Sequence, residues 1–245
     1  MNVVVLGATR GMGRALARLM AERGDRLFLL GRDPAALDGA AADLEARGAV
    51  ERPGTGACDL ERPNGFDTAL DLAWSGLGRV DAVVVTAGLF GTQEALEADR
   101  TLRQRVLAAD FANTIDFCEL ARRRLLEGGG GTLCVFSSVA GDRARRKVGL
   151  YGAAKAGLSH YLDALDLSFR DAGLRTVLVK PGFVRTGMTQ GLEVPPFAAD
   201  PDRAAADALR AIDRGRRCVY VPAVWRLVMC VVRLLPRGVL RRSGF

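Results

Sequence analysis

Seven short runs rich in valine or leucine punctuate this chain, at 2–6, 26–30, 81–85, 132–137, 174–179 and 217–221, with a weaker one near 55–58. Their apolar residues stand at consecutive rather than alternate positions, the mark of strands buried on both faces. Longer alanine- and arginine-rich segments fall between them, and helices are expected over 11–23, 34–47, 65–75, 93–126 with a break, 150–171 and 202–213. Strands joined through helices of that length run parallel through right-handed crossovers, with helices on both faces. The expected fold class is α/β, a doubly wound seven-stranded parallel sheet flanked by helices, with ligands taken at the carboxyl ends of the strands. With 245 residues, 49% of them apolar, the chain can bury a full core. One domain is expected over 1–221, with 222–245 as its C-terminal amphipathic basic tail or helix.

The motifs that carry chemistry fall at those strand ends. Asn2–Leu6 runs into Gly7-Ala8-Thr9-Arg10-Gly11-Met12-Gly13 and then a helical segment, the context of a dinucleotide fingerprint. Gly7, Gly11 and Gly13 let the backbone turn tightly and approach a pyrophosphate, which the helix N-terminus attracts; Thr9, Arg10 and Met12 lie between them. Tyr151 and Lys155 stand one helical turn apart on one face, so a cation lies near a phenol whose ordinary pKa is about 10 and favours its ionised form. Ser138, at the end of the preceding strand, adds a hydroxyl donor. A tyrosine and lysine at this spacing also occur on solvated helix faces; here the glycine loop gives them a context.

Together these residues resemble the classical short-chain dehydrogenase/reductase family, over essentially the whole chain. The G-x-x-x-G-x-G spacing, Asp59-Leu60, Thr86-Ala87-Gly88, Ser138 thirteen residues before Tyr151, and Pro181-Gly182-Phe183-Val184-Arg185-Thr186 come in the family's order. The resemblance implies a Rossmann-type domain and hydride transfer between a nicotinamide and a ketone or secondary alcohol. Tyr151 would be the general acid/base; Lys155 would lower its pKa and hold the nicotinamide ribose; Ser138 would polarise the substrate oxygen. Asp59 and Leu60 would contact the adenine, Ala87 and Gly88 the adenosine ribose side, and Thr186 the carboxamide, with Pro181, Gly182 and Val184 in the same loop. The family's fourth catalytic member is an asparagine; counting back 28 residues from Ser138 finds Asp110, with Asn113 one turn later. An aspartate there would alter the pKa of Lys155. Arg32 stands where an NAD-selective member carries its aspartate, so Arg32 and Arg10 favour NADP(H), while Asp33 keeps NAD(H) as the alternative.

Two features bear on the substrate. Arg143, Arg145, Arg146 and Lys147 crowd the loop between Ser138 and Tyr151, either as a solvated loop or as a grip for a phosphate. From Arg214 to the end there are eight arginines and no acid, so the net charge of +7 belongs to the tail and no nucleic-acid surface is expected over the domain. Residues 222–236 are too short to span a bilayer; with Arg226, Arg233, Arg237, Arg241 and Arg242 they suit a helix on an anionic membrane, or one packed over the pocket or another subunit. Within the family, Ser137 to Lys147, Tyr151 to Gly157 and Val221 to Met229 resemble the keto-reductase subunits of decaprenyl-phosphoryl-ribose 2-epimerases. That resemblance implies a polyprenyl-phosphoryl 2-keto-pentose, a flavoprotein oxidase partner and a place in cell-wall biosynthesis. The broader readings are a reductase of another lipophilic ketone and a non-catalytic dinucleotide-binding protein at a membrane surface. Family habit implies a homodimer or homotetramer through the helices around 93–126 and 150–171.

The remaining composition argues mainly by exclusion. Five cysteines without a C-x-x-C pair point to neither a disulfide framework nor zinc, and His160, the single histidine, is expected in packing or a subunit contact. The start leads directly into a strand without a basic n-region, so a cytoplasmic protein is expected, with peripheral contact at the inner membrane face through the tail.

Overall fold

The computed structural model of the chain describes residues 1–242; the end of the expected tail, 243–245, lies outside the described residues. Seven strands, β1 (Asn2–Leu6), β2 (Arg26–Gly31), β3 (Gly54–Ala57), β4 (Ala82–Val85), β5 (Gly131–Phe136), β6 (Leu174–Pro181) and β7 (Cys218–Val221), form one sheet in the order β3-β2-β1-β4-β5-β6-β7. Every pairing is parallel. This is the doubly wound α/β, Rossmann-type arrangement expected from the alternation of runs.

The strand sequences feed two helical layers at once. Val3 and Val5 of β1 face a core shared with Leu16 and Met20 of α1 (Gly11–Glu22), Leu37 of α2 (Pro34–Ala46) and Ile212 of α8 (Pro201–Asp213). Val4 and Leu6 face the opposite core, with Phe66 and Leu70 of α3 (Phe66–Leu77), Phe117 of α6 (Asn113–Glu127) and Leu158 of α7 (Gly149–Phe169). Alternate residues point to opposite faces, so a strand covered on both sides must be apolar throughout. The weak signal of β3 has a local cause: a Cβ at Gly54 would lie 2.6 Å from the Phe28 ring, so the strand is glycine-rich to make room for its neighbour.

The expected break in 93–126 is double. Thr92 caps α4 (Gln93–Ala98) through Ala95 N at 3.3 Å, and Asp99 then caps α5 (Arg100–Leu107) through Thr101 N and Leu102 N at 2.8 and 3.0 Å. A wider π turn over 108–112 carries the chain into α6. Such turns inside helices often mark functional positions, and this one holds Asp110. The tail forms α9 (Val224–Leu234) and α10 (Arg237–Arg242), divided at Leu235-Pro236. Among the described residues no helix is long and apolar enough to cross a membrane. Cys58, Cys118 and Cys134 are buried, Cys218 and Cys230 exposed, and all five are free. His160 is exposed on α7, which removes the packing role.

Candidate active site

β1 and β4 are neighbours in the sheet, and the chain leaves their ends in opposite directions, opening a crevice there. The Gly7–Gly13 loop lines one side. Gly7 has φ +101°, and a Cβ on Gly13 would collide with the Gly7 carbonyl and Thr86 Oγ1. Thr86 donates its hydroxyl to the carbonyls of Leu6 and Gly7 at 3.0 and 3.2 Å, tying the two loops together. The sequence reading named Thr86 within a loosened motif and gave it no role; its hydroxyl does the bridging.

The crevice, of about 170 Å³, is lined by Gly7, Thr9, Arg32, Asp59, Leu60 and Gly88 among others. Leu60 is held by Asn113, whose side-chain amide donates to its carbonyl at 2.6 Å. Asn113 is therefore a clamp on the Asp59-Leu60 turn, whereas Asp110 turns toward Lys155. Arg32 is exposed and lies 3.4 Å from Glu61, a lining residue that sequence reasoning missed; Glu61 is also gripped by Arg105 at 2.5 Å. Asp33, the alternative ribose ligand, spends its carboxylate as the cap of α2, accepting from Ala36 N at 3.2 Å. Gly11 approaches Thr186, with room for a Cβ only 3.2 Å from the threonine methyl, so the loops after β1 and β6 meet across the crevice. Met12 is partly buried against the core, Ala87 packs beside β4, and Val184 pairs with Ala199 in an isolated bridge.

These residues fit a nicotinamide dinucleotide. Arg10 gives α1 no side-chain cap and no acid occupies its first turn, so the orphan N–H groups of that helix face an anion without competition. When bound, the nicotinamide supplies the hydride.

Behind Gly88, where a Cβ would lie 2.9 Å from Asp110 Oδ1 and 3.4 Å from Lys155 Nζ, stand Asp110 and Lys155, with Tyr151 and Ser138 beside them. Ser138 follows β5, and its Oγ accepts from Ala140 N at 3.1 Å. The turn after it presses on α7: a Cβ on Gly141 would lie 2.7 Å from the backbone of Lys155 and Ala156. Ser137 Oγ donates to the Lys155 carbonyl at 2.9 Å and bonds Ser159 Oγ at 2.8 Å, which registers β5 against α7. The Tyr151 ring meets Phe90 edge-on at 5.1 Å, and Lys155 Nζ lies 5.7 Å from the ring centre. Asp110 is fully buried. Its Oδ1 accepts from Leu89 N at 2.6 Å and its Oδ2 lies 3.4 Å from Lys155 Nζ.

Electrostatics revises one expectation. Burial pushes the Tyr151 phenol above its ordinary pKa, and Asp110 adds to that; Lys155 and the hydrogen bond from Ser138 oppose without prevailing. Burial alone would push Lys155 down, yet Asp110 and Tyr151 hold it above the usual lysine range. Burial raises the Asp110 carboxyl against the pull of Lys155 and the Leu89 N–H. The resting cluster therefore keeps the phenol protonated, suited to giving a proton to an oxygen that gains charge.

The basic loop divides. Arg143 donates to the Leu235 carbonyl at 3.1 Å, satisfying the C-terminal end of α9. Arg145 is half-buried and burial lowers its pKa, opposed by Asp142; Arg146 is exposed. Sequence reading missed Asp142 itself: its buried carboxylate accepts from Lys180 Nζ at 2.6 Å and Tyr220 OH at 2.7 Å. Asp142 thereby ties the loop after β5 to the ends of β6 and β7. Trp225 of α9 lies on Gly182 and is 7% exposed. A larger cleft of about 720 Å³, lined by Asp163, Arg216, Tyr220 and Arg226, opens beside β7, and neither Ser138 nor Tyr151 lines it.

Known proteins place this arrangement. The sequence pattern of the short chain dehydrogenases matches residues 1–195. An uncharacterized oxidoreductase of Mycobacterium tuberculosis is 33% identical over 249 residues, covering 98% of this chain and 96% of that protein. Another from Streptomyces coelicolor is 36% identical over 242 residues, with 98% and 95% covered. A short-chain dehydrogenase from Sphingobium yanoikuyae, solved in complex with NADPH, shares the fold with a TM-score of 0.82 at 22% identity, covering 97% of each chain. The chain belongs to the short-chain dehydrogenase family of NAD(P)-dependent oxidoreductases.

Proposed function

We propose that this protein reduces a ketone carried on a lipophilic, phosphorylated molecule, with NADPH as the hydride donor. The observation that carries the reductase reading is the cluster of half-buried Ser138 and Tyr151 with buried Lys155 and Asp110, its phenol held protonated. The substrate carbon takes the hydride, the oxygen takes the Tyr151 proton, and Ser138 steadies that oxygen by a hydrogen bond. NADPH is favoured over NADH because Arg32 is exposed at the end of β2 while the Asp33 carboxylate is spent as a cap. The Sphingobium protein of the same fold, in complex with NADPH, agrees with that choice. Fluorescence titration should show tighter binding of NADPH than of NADH, and Arg32→Asp should weaken NADPH by about tenfold through loss of one charge-assisted contact. Equal affinities in the parent protein would remove the NADPH preference; absence of binding to both would remove the reductase reading.

A polyprenyl-phosphoryl 2-keto-pentose, left by a flavoprotein oxidase, is the substrate that best suits the remaining features. Beside Arg143, which donates to Leu235, the cations of this loop that a phosphate could meet are Arg145, Arg146 and Lys147, the last two exposed. Arg145→Glu with Arg146→Glu should raise KM for the phosphorylated ketone about tenfold or more and spare a neutral ketone. An equal rise for both substrates would discard the phosphate. Self-association through α5, α6 and α7 suits the exposure of Phe111 and Leu167.

A further inference from the structure

Helix α9 has two apolar sides. One packs Trp225, Met229 and Val232 on Val139, beside Ser138. The other faces outward with Leu227, Val231 and Leu234 at exposures of 72%, 61% and 80%, at separations of four and three that align them on one stripe. Arg226 and Arg233 run along one edge of that stripe, and Arg237 and Arg241 follow in α10, all exposed. Among the described residues no carboxylate forms an ion pair with any of these four. The sequence marked 222–236 as one amphipathic stretch; in the structure Trp225 is an inward anchor and the outward stripe begins at Leu227.

We propose that the Leu227–Val231–Leu234 stripe docks on an anionic lipid surface, its arginines meeting the headgroups and its apolar side chains entering the interface. This goes beyond the reductase reading and does not depend on the identity of the ketone. Charge decides between occupants. A symmetric contact with a second copy would pair the patch with itself. That sets arginines against arginines on a segment that has no acid from Arg214 onward. An anionic leaflet supplies the missing sign, and a surface helix with one apolar and one basic edge matches its boundary in both respects. The other side of α9 reaches the candidate site, since Trp225 covers Gly182 and Arg143 holds Leu235. Docking would therefore bring the crevice to the headgroup layer, where a lipid-linked ketone lies.

The test is sedimentation of the full-length protein with vesicles of phosphatidylcholine, with and without phosphatidylglycerol, alongside turnover of a small water-soluble ketone. The protein should partition onto the anionic vesicles and be released by salt. Leu227→Asp with Val231→Asp should cut that partition by about tenfold or more, and Arg233→Glu with Arg237→Glu should do the same. Both changes lie on exposed positions away from the site, so turnover of the small ketone should stay unchanged in each. Equal binding to neutral and anionic vesicles, or undiminished binding by both variants, overturns the proposal. So does a result in which the variants only convert an oligomer to a monomer in light scattering. Loss of small-ketone turnover in the parent protein would instead count against the reductase reading, whatever the vesicles show.

Discussion

Tyr151→Phe should lower kcat for ketone reduction about 10³-fold, the loss expected when a positioned proton donor is removed. Dinucleotide affinity should hold, because the phenylalanine ring keeps the edge contact with Phe90 and only the hydroxyl disappears. The size of the effect follows from the environment of that hydroxyl. Burial and the Asp110 carboxylate keep its proton on, while Lys155 and Ser138 stand ready to stabilise the phenolate left after transfer. The group thus has a reason to hold its proton before the reaction and a means to lose it during reaction. Steady-state kinetics beside an NADPH titration makes the check; a variant retaining most of its turnover would show that the proton comes from elsewhere.

Asp110→Asn separates the charge of this residue from its shape. The asparagine carbonyl can still accept from Leu89 N, but the counter-charge to Lys155 is gone. Asp110 raises the pKa of both Lys155 and Tyr151, so its neutral replacement lowers both. These groups titrate as a coupled set, and the set gives up its first proton at lower pH. In reduction, the alkaline limb of the kcat/KM profile should move to lower pH. An unmoved limb would detach Asp110 from the titration. Asp110→Ala goes further, leaving an ammonium without a partner and a backbone N–H unsatisfied, at a cost of about 3–5 kcal/mol in chemical denaturation.

The sheet and its helices were legible because the strands are covered on both faces and therefore continuously apolar; β1 is Asn-Val-Val-Val-Leu with its last four residues buried. The glycine loop, Ser138, Tyr151 and Lys155 were legible because short local spacing fixes their relation on one turn or one helix face. Contacts between distant segments were not. Asn113 holding Leu60, Thr86 holding Leu6 and Gly7, and Asp142 meeting Lys180 and Tyr220 join residues between 38 and 80 positions apart. Local periodicity carries no record of such pairs. The pull of Lys155 on Tyr151 was legible from their spacing, whereas the net upward shift was not, because burial and the opposing Asp110 are tertiary facts. Trp225 was likewise legible as part of an amphipathic helix with no indication of which side the body of the protein would claim.

The Asp142, Lys180 and Tyr220 cluster stiffens the wall formed by the turn after Ser138. Lys180 and Tyr220 face each other in the β6–β7 register, and Asp142 clips the loop after β5 to both. To swing that wall outward would strand a buried carboxylate. The segment after Thr186 is held by exposed contacts instead: Thr189 fastens its short turn, in which Met188 is exposed, Val194 and Phe197 lie open beyond it, and Arg185 pairs with Asp200 where Ala199 rejoins Val184. A substitution at any of those open positions therefore leaves the buried Asp142 carboxylate paired and the turn after Ser138 in place.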